Sequence, residues 1–458
     1  MKKHLSIMAL IGLIALVASP SSAQKINTPP VKRSQEPNGS RLVLMEYPRV
    51  PAITLRIIFP GGKVNEPSDK EGVAELTATL LRRGTEKRNA VQISEEIEFL
   101  GGSLGASVSN DSFTVSLDVL SKDIDAGLDL LADVMRNSNF PESELERERL
   151  QSINELKGIS ENPRAVASLV TNSTIYAGHP YGKSPGIASL SQLKRDDVLA
   201  YYRTNINPAS MIVIVTGDFK AADLTAKLRA RFGDWQGTSA SREAPKWNIG
   251  AKRQILVDKP DSTQTQLRLI RPAISVGSPD YYAAEVANTI LGGGFTSRLV
   301  EEIRINRSLT YGIGSSFSKS LLGGTFGVST FTKIETTNAL IKAVREVLKQ
   351  TVLKGFTDTE LRKVKGFLAG QFAISAQTPQ ALAGQLSQIE LYGLPKDFLQ
   401  NYIQKIQAVT LAEVNRIAKS YFHPDSLSII LVAPASKVNA QLKEFGAFEV
   451  KSVDSVGK

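Results

Sequence analysis

Phe113, Val115, Leu117 and Val119 alternate with Thr114, Ser116 and Asp118, the two-residue period of a strand with one buried face. Ile124, Leu128, Leu131 and Met135 follow at spacings of four, three and four, which gathers them into one stripe of a helix lying on a core. The second half of the chain repeats that stripe in Leu340, Val344 and Val347. A long polar helix is predicted from about Glu142 to Gly158, and the apolar stretch Met211 to Thr216 reads as a short strand inside a sheet. Strands and helices mix without strict alternation. The pattern therefore favours an α+β fold, a mostly antiparallel sheet with helices packed on one face, over a parallel doubly wound one.

Comparing the chain with itself shows why the stripe returns. Arg41-Leu42-Val43-Leu44, Pro48 and Leu55-Arg56-Ile57 recur as Arg253-Gln254-Ile255-Leu256, Pro260 and Leu267-Arg268-Leu269. Ala74-Glu75-Leu76 recurs as Ala284-Glu285-Val286, and Phe140 with Glu144-Leu145 as Phe356 with Glu360-Leu361. Matches in one order with only small changes of offset imply a duplicated unit. Residues 24–236 and 248–446 are expected to form two related domains, with a linker at 237–247 and a flexible tail at 447–458.

Composition narrows the chemistry. The 458 residues include no Cys and three His, which excludes thiolate zinc sites, cysteine nucleophiles, iron–sulfur clusters and a lipidated cysteine. Lys2-Lys3, the apolar run Leu5 to Ala18, and Ser21-Ser22-Ala23 before Gln24 read as a signal peptide over residues 1–23, too short in its apolar part to span a bilayer. The mature protein is expected in the periplasm or secreted, without a membrane span. The formal charge of +10 is spread among acids, as a solvated surface is, and calls for no nucleic-acid partner.

The order strand, Gly61-Gly62-Lys63, a helix carrying Gly72-Val73-Ala74 through Leu80 to Gly84-Thr85, and the helix Glu146-Arg147-Glu148-Arg149 to Glu155 resembles the insulinase or pitrilysin family of zinc peptidases, which includes the mitochondrial processing peptidases. The likeness covers nearly the whole mature chain. In that family the frame holds His-x-x-Glu-His: two imidazoles bind zinc, the Glu serves as general base, and a distal Glu completes the site. The matching positions here carry Glu75, Ala78 and Thr79; the distal Glu matches Glu155 and an accompanying acid matches Glu148. The degenerate motif implies that this chain binds no zinc or other cofactor. In the second half the segment Glu285 to Thr289 is equally empty of ligands. His179 and His423 each precede a proline and read as surface or loop residues.

Arg304 and Tyr311 stand where active members of the family place an Arg and Tyr pair that holds substrate over the metal. A guanidinium offers fixed donors to a peptide carbonyl, and a phenol can donate to the oxyanion of the tetrahedral intermediate. Aligning Ser103-Leu104 with Ser308-Leu309 gives Phe99 and Ala106 as their first-half equivalents, so the pair has no echo there. Gly292-Gly293-Gly294 reads equally as a short version of the family's glycine-rich loop or as a plain turn. Gly101-Gly102-Ser103-Leu104-Gly105 fits the serine-hydrolase elbow pattern, but a helix before it and a strand after it reverse the order an elbow needs, which favours a hairpin-like connection. The resemblance implies an inactive-alone subunit that lends Arg304 and Tyr311 in trans to a sister chain bearing His-x-x-Glu-His and zinc, with a peptide between them. The alternative is a structural or peptide-binding scaffold of the same fold.

Overall fold

In a computed structural model, described over residues 28–238 and 250–456, the chain builds two six-stranded sheets. The expected signal peptide and residues 239–247 of the expected linker lie outside the described residues. The first sheet has the order β1-β2-β6-β3-β5-β4, from β1 (Val31–Gln35), β2 (Arg41–Glu46), β3 (Ala52–Pro60), β4 (Ser103–Val108), β5 (Ser112–Leu120) and β6 (Ile212–Gly217). The second has the order β12-β7-β11-β8-β10-β9, from β7 (Gln254–Asp258), β8 (Gln264–Ala273), β9 (Ile313–Ser318), β10 (Gly324–Lys333), β11 (Ser428–Ala433) and β12 (Glu449–Ser452). Most pairings are antiparallel; β2 with β6, and β7 with β11 and β12, are parallel. The duplication is plain in the strand order, and the two halves depart only at one edge. There β1 comes from the amino-terminal side, antiparallel to β2, while β12 comes from the carboxy-terminal side, parallel to β7. The expected flexible tail is thus corrected: residues 449–452 complete a sheet, and Val453 and Val456 pack beside it.

The helices of the first half include α1 (Val73–Leu80), α2 (Ala90–Phe99), α3 (Ile124–Asn137), α4 (Glu142–Ile159) and α5 (Pro163–Ile175). Their starts are legible in local chemistry. Asn89 accepts from the Gln92 N–H at 2.9 Å and the Gln92 side chain accepts from the Asn89 N–H at 2.9 Å, satisfying two donors that a helix start leaves unpaired. The α3 stripe packs on the β5 face: Leu128, Leu131 and Met135 are buried with Phe113, Val115 and Leu117. No helix among the described residues is long and apolar enough to cross a membrane.

Each half packs helices of its own on one face of its sheet, as the pattern predicts. The other face is covered by a helix of the opposite half. Val43, Met45, Ile58, Ile212 and Ile214 of the first sheet bury against Leu382, Ala383, Leu386 and Ile389 of the helix Pro379–Tyr392. Reciprocally, Val166, Ala167 and Val170 of α5 bury against Ile255, Val257, Ile430 and Val432 of the second sheet. Both faces of β6 and β11 are therefore apolar, and all six residues of each are buried.

Polar contacts pin this exchange. The buried Asp111, in the β4–β5 turn, accepts from the Leu321 N–H at 3.1 Å and from the Tyr392 hydroxyl at 3.2 Å, both in the second half. It also accepts from the Tyr181 hydroxyl, which in turn accepts from the Leu322 N–H at 3.2 Å. Burial and the neighbouring Asp111 push the Tyr392 phenol up to about 12 and the Tyr181 phenol higher still, so both hydroxyls keep their protons as donors. Arg33 adds an ion pair to Glu390 at 2.8 Å.

Candidate functional site

The segment that leads into α1 prepares a helix with its first donors occupied. Gly72 sits at φ 97°, a left-handed conformation open to glycine, and a Cβ there would lie 2.6 Å from Leu190 Cδ2. Glu66 reaches back to accept from the Gly72 N–H at 3.1 Å and the Ala74 N–H at 2.9 Å. Burial, opposed by those two N–H groups and by Lys63, pushes its carboxyl up to about 7. Against an ordinary value of 4.5, the folded chain holds a proton in this window that the unfolded chain has lost. Stability is expected to fall as the pH rises from 4.5 to about 7; Glu66→Gln should flatten that part of the profile, measured by urea unfolding at a series of pH values.

Of the degenerate motif positions on α1, Glu75 points outward and pairs with Lys63 at 2.5 Å, Ala78 is buried in the core, and Thr79 is half-buried. On α4, Glu155 is exposed and, among the described residues, accepts from Gln151, one turn earlier on the same helix, at 3.0 Å. Glu148, 5% exposed, lies instead against Arg83 at 2.9 Å and Arg147 at 3.1 Å, tying the end of α1 to α4. These donors do not fit a zinc ion. A single lysine-paired carboxylate, a methyl group and a hydroxyl replace the two imidazoles and the base. Among the described residues no group of three or more His, Cys, Asp or Glu side chains could hold a metal. The second half repeats the arrangement: Glu285 pairs with Lys319 at 2.5 Å, and that ammonium lies 3.7 Å from the centre of the Tyr281 ring.

The two retained acids thus have different occupations, which their substitutions should separate. Glu148→Gln strands the partly buried Arg83 guanidinium and should cost about 2 kcal/mol, whereas Glu155→Gln should stay within about 0.5 kcal/mol. Chemical denaturation of the two variants is the measurement.

Arg304 lies on a wide helical turn, Val300–Asn306, a winding often found at functional sites. Its guanidinium stacks over the Phe295 ring at 5.0 Å. Tyr311 lies beyond the helix, in the loop leading to β9, so the seven-residue spacing does not place the pair along one helical face. Tyr311 is 84% exposed, and Phe295 and Ile305 are exposed as well. Gly292–Gly294 close a second wide turn beneath β9. A Cβ on Gly292 would meet Ser315 Oγ at 2.5 Å and Ser315 N at 2.7 Å, so this is a close-packed turn needing glycine.

Strand register corrects the equivalence of the halves here. Leu55 faces Leu117, which faces Leu104; Leu267 faces Thr330, which faces Ile313. The first-half counterpart of Tyr311 is therefore Gly102, not Ala106, because the loops before the two edge strands differ in length. No tyrosine occupies either place. The Gly101–Gly105 segment turns from α2 through Gly101 at φ 59° directly into β4, so it supplies the first strand of a hairpin rather than an elbow or the connection itself. His179 is buried, not at the surface. Its Nδ1 accepts from the Tyr181 N–H at 3.2 Å, and the rings of Tyr176 and Tyr181 flank it. His423 is exposed beside Asp425 at 3.8 Å. The sequence reading missed Glu66, whose capping role follows only from the left-handed turn at Gly72, and Asp111.

Residues 41–185 match the family described as insulinase, peptidase family M16, and residues 192–368 match the peptidase M16 inactive domain. An uncharacterized zinc protease of Mycobacterium tuberculosis is 26% identical over 396 residues, 85% of this chain and 90% of that protein. The non-peptidase homolog YmxG of Helicobacter pylori is 26% identical over 442 residues, 95% of this chain and 100% of that one. The crystal structure of a peptidase M16 inactive domain from Pseudomonas fluorescens superposes with a TM-score of 0.83 at 26% identity, covering 88% of this chain and 98% of that chain.

Proposed function

Because the chain belongs to the M16, or insulinase, family of peptidases, we propose that it is the non-catalytic, substrate-holding subunit of an exported two-chain zinc peptidase. On this reading a sister chain carries His-x-x-Glu-His and the zinc, a peptide lies between the subunits, and this chain supplies Arg304 and Tyr311. The observation that carries the reading is an asymmetry. The motif positions carry Glu75, Ala78 and Thr79, one of them part of the core, while Tyr311 is displayed to solvent and Arg304 is stacked on the Phe295 ring. A planar guanidinium backed by a ring presents its donors in a fixed plane to a peptide carbonyl. A phenol donates to the oxygen that gains charge as the scissile carbon becomes tetrahedral.

Export rests on the signal peptide at 1–23, whose removal after Ala23 amino-terminal sequencing of the periplasmic protein would show. The purified chain should not cleave peptides alone, and mixing it with its zinc-bearing sister should produce cleavage that neither gives separately. Cleavage by the sister chain alone at the full rate would reassign this protein as a scaffold.

A further inference from the structure

The loop bearing Tyr311 is fastened on both sides by buried hydroxyls. It leaves the helical turn through Ser308, a non-glycine residue at φ 51°, a conformation that persists only where the surroundings hold it. On its amino-terminal side, the Thr332 hydroxyl donates to the Leu309 carbonyl at 2.6 Å. On its carboxy-terminal side, the Gly312 carbonyl accepts from the Thr330 hydroxyl at 3.0 Å and from the Thr310 hydroxyl at 3.1 Å, while the Gly312 N–H donates back to Thr310 at 3.1 Å. Thr310, Thr330 and Thr332 are all buried, yet the tyrosine they bracket is 84% exposed.

The duplicated half shows what a fold without this loop uses instead. By strand register Thr330 corresponds to Leu117 and Thr332 to Val119, both buried in the apolar core. A hydroxyl at such a site must find a partner, since burying it unpaired is unfavourable. Here the partners are the main-chain carbonyls on either side of Tyr311. Exposed loops ordinarily move on nanosecond to microsecond timescales, and a donor that must meet a developing oxyanion is effective only when already in place.

We propose that Thr310, Thr330 and Thr332 form a clamp that holds the Tyr311 phenol in a fixed position for use by a partner's active site; as positioning residues they deepen the trans reading of Arg304 and Tyr311 and rest on it. The double variant Thr330→Val/Thr332→Val restores the apolar character of the twin half and should remain folded. Hydrogen exchange of the full chain should show the Leu309 and Gly312 amides exchanging at least about tenfold faster, with protection of β8 and β10 unchanged. In the two-chain enzyme kcat should fall about tenfold or more while KM stays within about twofold, and Thr330→Ser/Thr332→Ser, which keeps both hydroxyls, should recover both protection and kcat. Unchanged loop protection in the valine variant overturns the clamp, as does a serine variant no better than valine. If Tyr311→Phe leaves turnover intact while the valine variant still frees the loop, the trans reading fails and the clamp itself stands.

Discussion

Tyr311→Phe, assembled with the zinc-bearing sister chain that the proposed two-chain reading calls for, is expected to lower kcat by about 100- to 1000-fold, the usual effect of removing one oxyanion donor. The substitution deletes a single oxygen from a side chain 84% exposed to solvent, so it should leave the unfolding midpoint of the isolated subunit where it was. KM should change little, because a donor aimed at the tetrahedral intermediate contributes mainly after binding. Arg304→Lys should act the other way. It retains the charge but loses the flat fork and its stacking on Phe295, and should raise KM for peptides more than it lowers kcat. Turnover by the Tyr311→Phe complex at the wild-type rate would remove this residue from the chemistry.

The second large effect lies where the two halves meet. Asp111→Ala should destabilise the protein by about 4 kcal/mol, because it leaves the Leu321 N–H and the hydroxyls of Tyr181 and Tyr392 without their acceptor in a buried setting. The loss should appear as separation of the halves: unfolding in urea should broaden or split into two steps. Tyr392→Phe removes one of the stranded donors. A double-mutant cycle between the two positions should therefore be non-additive by about 1 kcal/mol or more. Additive effects, or a single sharp transition at an unchanged midpoint, would show that Asp111 does not join the halves.

The elements that could be read from sequence are those whose signal is local. The alternation across β5, the α3 stripe and the polar helix α4 each carry their period within a dozen or so residues, and all three stand in the structure within a residue or two of the expected bounds. The degenerate motif was legible as well, because Glu75, Ala78 and Thr79 sit in a glycine-marked frame. What escaped depends on the other half of the molecule. Val166, Ala167 and Val170 announce a helix with an apolar face, but nothing in them says that the face belongs on β7 and β11 rather than on the nearer sheet. Asp111 lies in Ser109-Asn110-Asp111-Ser112, a polar cluster that reads as a solvated hairpin turn until Leu321 and Tyr392 close over it. The strand at 449–452 failed for the same reason: Glu449-Val450-Lys451-Ser452 is short and polar, and its hydrogen bonds come from β7, nearly two hundred residues away in sequence.

The crossed helices bear on how such a chain could have arisen and how it could be divided. A single ancestral unit would have left one broad face of its sheet bare, a surface prone to aggregation, unless two copies lent each other that helix as a swapped pair. Joining the copies end to end would turn the swap into the present single chain with the backbone of each core kept in place. It follows that cutting this gene at the seam should yield fragments insoluble when expressed apart and recovered when co-expressed.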